Sequence, residues 1–264
     1  MLRFFRQIRQ RLLTDNPPDQ ASRAGKFSKY LLYAIGEILL VVIGILIALQ
    51  VNNWNEGRKL NKDRINILEN LKMDLVNDAE NYKTNIYRLQ KRQEIAGEIL
   101  QFLEEIPLEI DSSDTVRKLL ILGYIEDHNP SFATYNEILG SGKLGLLESN
   151  ELKIDLANYK SAFENFKVIE NNWSEDIKDY ERIISGYFSG NIPLQNYDLT
   201  EISAGKNYKL RFSLNEISDN YDVVTRIRHI SYFTKIQVDI KKNNLLPTCE
   251  GIIAKIDEEL KKHS

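Results

Sequence analysis

Twenty-two consecutive residues, Tyr30 to Val51 (YLLYAIGEILLVVIGILIALQV), hold one side chain of ordinary acidity, Glu37, and one other strongly polar group, Gln50. As a helix this run would be roughly 33 Å long, enough to cross the hydrocarbon core of a bilayer. A core helix of a soluble domain needs a polar face, and between Ile38 and Leu49 there is none. A cleaved signal peptide would have a shorter apolar core closed by a small-x-small site, whereas this run leads into Gln50-Val51-Asn52-Asn53-Trp54. The run therefore predicts one transmembrane helix over 30–51. No other stretch is long and apolar enough, so a polytopic transporter is excluded.

Charge divides the chain at the same place. Residues 1–29 carry seven basic side chains against Asp15 and Asp19, a surplus of five, so that with a net charge of −3 the remainder carries −8. The basic head predicts a cytoplasmic N-terminus, with roughly 210 residues on the far side of an inner (plasma) membrane. Arg58, Lys59, Lys62 and Arg64 follow the span closely and reduce that contrast. Three parts result: a basic tail over 1–29, the span over 30–51 and a periplasmic domain over 52–264.

In the tail, Leu2, Phe5, Ile8 and Leu12 recur at helical spacing while Arg3, Arg6, Arg9 and Arg11 lie largely on other faces. That pattern suits a short amphipathic helix on an anionic leaflet, or a basic tail that only fixes topology. Asp15 to Gly25, with Pro17 and Pro18, reads as its link to the span. Within the span, Glu37 would lie about 5 Å from the midpoint, where an isolated carboxylate is expensive. At 100° per residue Tyr33, Glu37, Gly44, Ala48 and Val51 share a face that joins a polar group to two small residues, the composition helix pairs use in lipid. The alternatives are a Glu37 near the headgroups, which leaves too short a hydrocarbon stretch, and a carboxyl that handles protons or ions. Tyr30 and Tyr33 at one end and Trp54 at the other suit interfacial anchors.

The segment KFSKYLLYAIGEILLVVIGILIALQVNNWNE, Lys26 to Glu56, after a short basic tail, resembles that of a family of uncharacterised single-pass membrane proteins common in Bacteroidota. A second block, SGKLGLLESNELKIDLANY, Ser141 to Tyr159, is similar to that family's other recurring motif. The resemblance implies a domain of unknown function in a Gram-negative inner membrane, and it brings no catalytic or binding residues.

Beyond the span the periodicity is helical. Leu68, Leu71, Leu75, Ala79, Tyr82, Ile86, Leu89, Gln93, Ala96, Leu100 and Leu103 follow spacings of three and four, predicting a helix of about 40 residues with a coiled-coil-like seam. Leu68, Leu75, Tyr82, Ile86 and Leu89 are its candidate contacts with another copy. Counting backward through Ile65, Asn61, Arg58 and Trp54 reaches the span in nearly the same phase, so the two helices either join or break at Asn52, Asn53 or Gly57. Pro107 and Asp111-Ser112-Ser113 end this element and cap a short helix over 114–125. Pro130 opens another over 131–139, and GSGKLGLL follows as a turn. It lacks the spacing of a phosphate loop, having Glu137 and Leu144 where Gly and Ser/Thr are required.

Ser149-Asn150-Glu151 starts a second long helix, whose stripe of Leu152, Leu156, Tyr159, Phe163, Phe166, Trp173, Ile177, Tyr180, Ile184 and Tyr187 is broken only by Glu170. Residues 189–213 read as irregular, either a partner-binding loop or a crossover. Two helices, 215–242 and 248–262, close the chain on either side of Leu245-Leu246-Pro247. The expected fold is all-α: a transmembrane helix, then an extramembrane bundle whose two long helices run antiparallel with the shorter ones packed on them.

Chemistry finds little purchase. His128, His229 and His263 have no metal-ligand spacing, no Gly-x-Ser-x-Gly elbow exists, and the sole cysteine, Cys249, cannot form an intrachain disulfide. The acidic pairs Glu104-Glu105, Glu126-Asp127, Glu175-Asp176 and Glu258-Glu259 would diverge on helices and read as solvated faces. A body of charge −8 does not suit nucleic acid. The chain reads as a non-enzymatic, cofactor-free scaffold or accessory subunit in a lipid bilayer, acting by association with itself or another membrane protein. The alternative is a periplasmic sensor bundle that binds a small ligand and signals through a partner, its 29-residue tail being too short for an output domain. A tethered hydrolase with a dispersed site is a third reading.

Overall fold

The structure, a computed structural model, describes residues 23–105, 112–124, 129–189, 209–210 and 214–263, with side chains described except at 23–30, 32, 33, 105, 112, 113, 189, 209, 210 and 263. The chain divides into two units, 1–59 and 60–264. The tail positions Leu2, Phe5, Ile8, Leu12, Arg3, Arg6, Arg9 and Arg11, and the segment 15–22, lie outside the described residues, as do Pro107 and His128.

Helix α1 spans Arg23–Glu105. In the first unit its side chains from Ala34 to Trp54 are all exposed. Asn52, Asn53 and Gly57 lie inside it and break nothing. Asn52 donates to the Glu56 carboxylate one turn on (2.9 Å), and the Arg58 guanidinium sits 5.6 Å from the Trp54 ring. Both pairs have the four-residue spacing that supports a helix.

The second unit is helical. It contains the rest of α1, α2 (Ser112–Leu122), α3 (Ala133–Gly140), a 3₁₀ turn at Lys143–Leu146 and α4 (Asn150–Ser185). Then come α5 (Leu214–Ser218), α6 (Tyr221–Ile240), a π turn at Lys241–Leu245 and α7 (Leu246–His263). A two-residue antiparallel ladder, β1 (Phe188–Ser189) with β2 (Lys209–Leu210), joins the ends of the segment expected to be irregular. Most of that segment lies outside the described residues.

The boundaries follow local chemistry. Ser149 caps α4 by accepting from the Leu152 amide (3.1 Å), and Gly142 takes the left-handed conformation (φ 70°) that turns the chain out of α3. Asn220 accepts from the amides of Asp222 (3.0 Å) and Val223 (3.3 Å), which divides the helix expected over 215–242 into α5 and α6. Pro247 does the reverse of what its chemistry suggests. The chain stays helical through it, because the wider turn at Lys241–Leu245 re-registers the backbone ladder immediately before a residue that cannot donate to it.

Two apolar clusters fill the bundle. In the first, Leu68 to Leu89 of α1 meet Leu152 to Phe166 of α4 and Cys249 to Ile256 of α7. In the second, Ala96 to Leu103 of α1 meet Ile177 to Ile184 of α4, Val223 to Ile230 of α6, and α2 and α5. Early residues of α1 thus face early residues of α4, and the two long helices run parallel, not antiparallel as expected. The reason is the connection between them: α2, α3 and the 3₁₀ turn carry the chain back along α1, so that Arg64 reaches the Leu146 carbonyl (2.8 Å) and the Glu148 carboxylate (2.6 Å) just before α4 begins. The antiparallel member is the continuous α6–π–α7 segment.

Candidate functional site

The residues expected to act separate into those on an open surface and those sealed in the core. Glu37, Gly44 and Ala48 are exposed along one line of α1, and among the described residues, the adjoining helix backbone aside, nothing lies within 4 Å of where a Gly44 side chain would start. Trp54 is 67% exposed. The side chains of the other two expected positions, Tyr30 and Tyr33, are outside the described residues.

The external seam is different. Leu68, Leu75, Tyr82, Ile86 and Leu89 are all buried within the chain's own first cluster. Helices α4 and α7 fill the groove that was expected to receive another copy, because the stripes on three long helices of one chain satisfy each other. In this fold the seam is intramolecular.

Polar side chains on those same stripes form two buried layers. In one, the Asp78 carboxylate, 1% exposed, accepts from the Ser131 amide (2.8 Å) and the Tyr159 hydroxyl (3.3 Å); Tyr159 in turn lies 3.3 Å from the Tyr82 hydroxyl. Beside it Asp74 accepts from the Thr134 amide (3.2 Å). Two carboxylates of α1 thereby serve the N-terminus of α3, whose own cap residue, Phe132, supplies no side-chain acceptor. Burial pushes the Asp78 carboxyl up to about 6, and Asp74 pushes the same way, against the two hydrogen bonds. Burial likewise raises Tyr82 and Tyr159, and it pushes the Cys249 thiol up to about 12. Cys249 donates to the Leu75 carbonyl (3.2 Å) and is a core thiol with no nucleophilic character at neutral pH.

The second layer lies where the first apolar cluster gives way to the other. Lys241, 1% exposed, donates to Asn85 (2.7 Å) and Glu170 (3.1 Å), and its ammonium sits 5.2 Å from the Phe166 ring. Glu170 also receives Gln237 (3.4 Å) and Lys167 (3.2 Å). The one interruption in the aromatic stripe of α4 is thus the acceptor for a buried lysine, and the π turn begins at that lysine. Desolvating both charges costs several kcal/mol per ion, which a close pair with extra hydrogen bonds offsets.

Other polar groups close helix ends. Arg92 donates to the Leu122 carbonyl (2.6 Å) and Tyr180 to the Leu119 carbonyl (2.8 Å), at the C-terminus of α2; Ser218 donates to the Leu103 carbonyl of α1 (2.8 Å). The pair Glu258-Glu259 diverges as expected, but only Glu258 is solvated. Glu259 is buried and accepts from the Glu148 amide (2.9 Å). Glu175 is exposed, while Asp176 receives Arg226 (3.2 Å), and Glu104 pairs with Arg228 (3.4 Å). Glu126 and Asp127 lie outside the described residues. His229 lies 3.9 Å from Asp176, and among the described residues no three His, Cys, Asp or Glu groups come together as metal ligands.

Asp78, Asn85 and Lys241 are the site residues that periodicity does not single out. The signal available for Lys241 was its position, three residues after Val238 and four before Leu245 on an otherwise apolar line. No curated protein and no solved structure matches the chain. A model described as a family of unknown function, DUF6090, matches residues 37–188, from the carboxylate in the apolar run to the first residue of the ladder strand β1, and with more than half of its length matched the chain belongs to that family.

Proposed function

We propose that the chain is a membrane-anchored scaffold or accessory subunit that acts by protein association, with 30–51 spanning an inner membrane, the basic head cytoplasmic and the helical bundle periplasmic. One observation carries this reading: none of the apolar window of α1 is buried inside the chain. A core helix of that composition would be covered, and in water so large an apolar surface would drive aggregation. Within the span the line through Glu37, Gly44 and Ala48 is the association face, small residues admitting a second backbone and the carboxyl supplying a hydrogen bond where no water competes. The partner is a second copy or another membrane helix.

The test is the mass of the full-length chain in a mild amphiphile, with co-purifying chains identified. Gly44→Ile should abolish association, and Glu37→Gln, which keeps a hydrogen-bonding group, should retain most of it. An unchanged oligomer mass in Gly44→Ile overturns the proposed face. A ligand-binding sensor is the second reading, favoured by the buried Lys241–Glu170 layer at a π turn, a distortion often found at functional sites. A small-molecule thermal-shift screen separates the two, since a ligand that raises the melting temperature supports the sensor.

A further inference from the structure

Helix α4 carries a second periodic line, on the side opposite its buried stripe. Ile154, Asn158, Ser161, Asn165, Val168 and Asn172 follow spacings of four and three and are all exposed. The line covers about 27 Å at 1.5 Å per residue. The stretch holds five charged residues, Asp155, Lys160, Glu164, Lys167 and Glu170, and every one falls off the line. Six exposed positions spread over five turns of the helix thus carry no charge. The asparagines recur every seven residues, at one heptad position, and Ile154, Ser161 and Val168 occupy the other.

That arrangement names its own partner. When two copies of a helix pair parallel and in register, each layer sets a residue against its own counterpart, so charges repel and only self-complementary groups are tolerated. An amide donates and accepts, and asparagine meets asparagine with hydrogen bonds. An antiparallel pair would set each asparagine against Ile154, Ser161 or Val168 and leave most of the amides unpaired, which costs about 1–3 kcal/mol for each buried group. Ala157 and Ala162, flanking Ser161, leave room for close approach. Between bodies of net charge −8, an uncharged line is also where repulsion is weakest.

We propose that this face of α4 is a self-association surface, pairing parallel and in register with α4 of a second copy. It deepens the association reading and rests on it in one respect: Ile154 and Val168 supply little apolar area, so the pairing needs the high effective concentration of two chains held in one membrane.

Single cysteines in the full-length chain in its membrane test this, with the unaltered chain, whose Cys249 is buried, as background. In a parallel pair the Cα atoms at the Ile154 and Val168 layers approach within the roughly 4.4–6.8 Å that a disulfide needs. Mild oxidation should therefore give covalent dimers from Ile154→Cys and from Val168→Cys, at least tenfold more than from Asn171→Cys, which is exposed on another face at the same level. Adding Asn165→Asp, which sets two carboxylates in one layer, should cut the Ile154→Cys dimer about tenfold, whereas Asn171→Asp should not. Equal dimer from Asn171→Cys overturns the proposal, as does a Val168→Cys cross-link to a different polypeptide only. If Ala48→Cys dimerises while neither α4 variant does, this inference fails and the membrane-face reading stands. If the α4 dimers form and persist in Gly44→Ile, the α4 surface stands and the membrane face is not what joins the copies.

Discussion

Residues 34–51 of α1 leave every side chain exposed, whereas residues 68–103 of the same helix bury a stripe of leucine, alanine and tyrosine and turn Glu69, Glu80 and Lys83 to water. Both halves are rich in aliphatic residues, and only the second is interrupted by charge at helical intervals. The interruption, not the apolar content, marks a helix that packs on its own chain. The helix without a polar side is covered by none of the described residues, and it is long and apolar enough to cross a membrane.

Four measurements test this contrast. The largest effect is expected from Ile43→Lys combined with Leu46→Lys. At about 2.5–3.5 kcal/mol for each lysine at the centre of a span, the pair should release the chain from the membrane fraction under alkaline extraction. Retention of the double variant would mean that the two halves do not differ in solvent. Next, Leu68→Ala, which empties a fully buried position, should cost about 2–5 kcal/mol in denaturant unfolding of the bundle, while Leu46→Ala should leave that transition where it is.

The third concerns charge inside the packed half. Lys241→Met leaves the Glu170 carboxylate buried with only Lys167 and Gln237, and should cost about 3 kcal/mol; replacing Glu170 by Leu as well should recover most of the loss. A double variant as unstable as the single one would show that the layer adds stability in its own right. The smallest is a pH effect at Asp78. Its carboxyl titrates near 6 in the folded chain against an ordinary 3.8, so between those values the folded state holds more protons and stability falls as pH rises. The total is at most about 3 kcal/mol. Asp78→Asn should be flatter across pH 4 to 6 than the unaltered chain, and equal slopes would assign the titration to another group.

The helices themselves are legible in the sequence because each is written as a period. The α4 stripe and its Ser149 cap need no tertiary information. The direction of α4 does need it: whether the segment 106–149 crosses the bundle or returns along α1 depends on where α2 and α3 find partners, and those partners are Arg92, Tyr180, Asp74 and Asp78 on other helices. The same limit hid the polar layers. Asp78 and Asn85 look like ordinary helix-surface residues until Ser131 and Lys241 arrive from 53 and 156 positions away. Pro247 misled for a local reason, since a π turn has no sequence signature comparable to a cap. The seam from Leu68 to Leu89 was legible as a seam, but periodicity is the same whether the matching helix belongs to another chain or to this one.

The borrowed caps set an order of assembly. Helix α3 has 8 residues and α2 has 11, below the length at which a helix holds together alone in water. The groups that close their ends sit on α1 and α4, so neither end can be satisfied until those long helices have docked. That dependence predicts that the short helices join late, after the transition state. Removing one of their caps, as in Arg92→Met, should speed unfolding and leave the rate of folding nearly untouched.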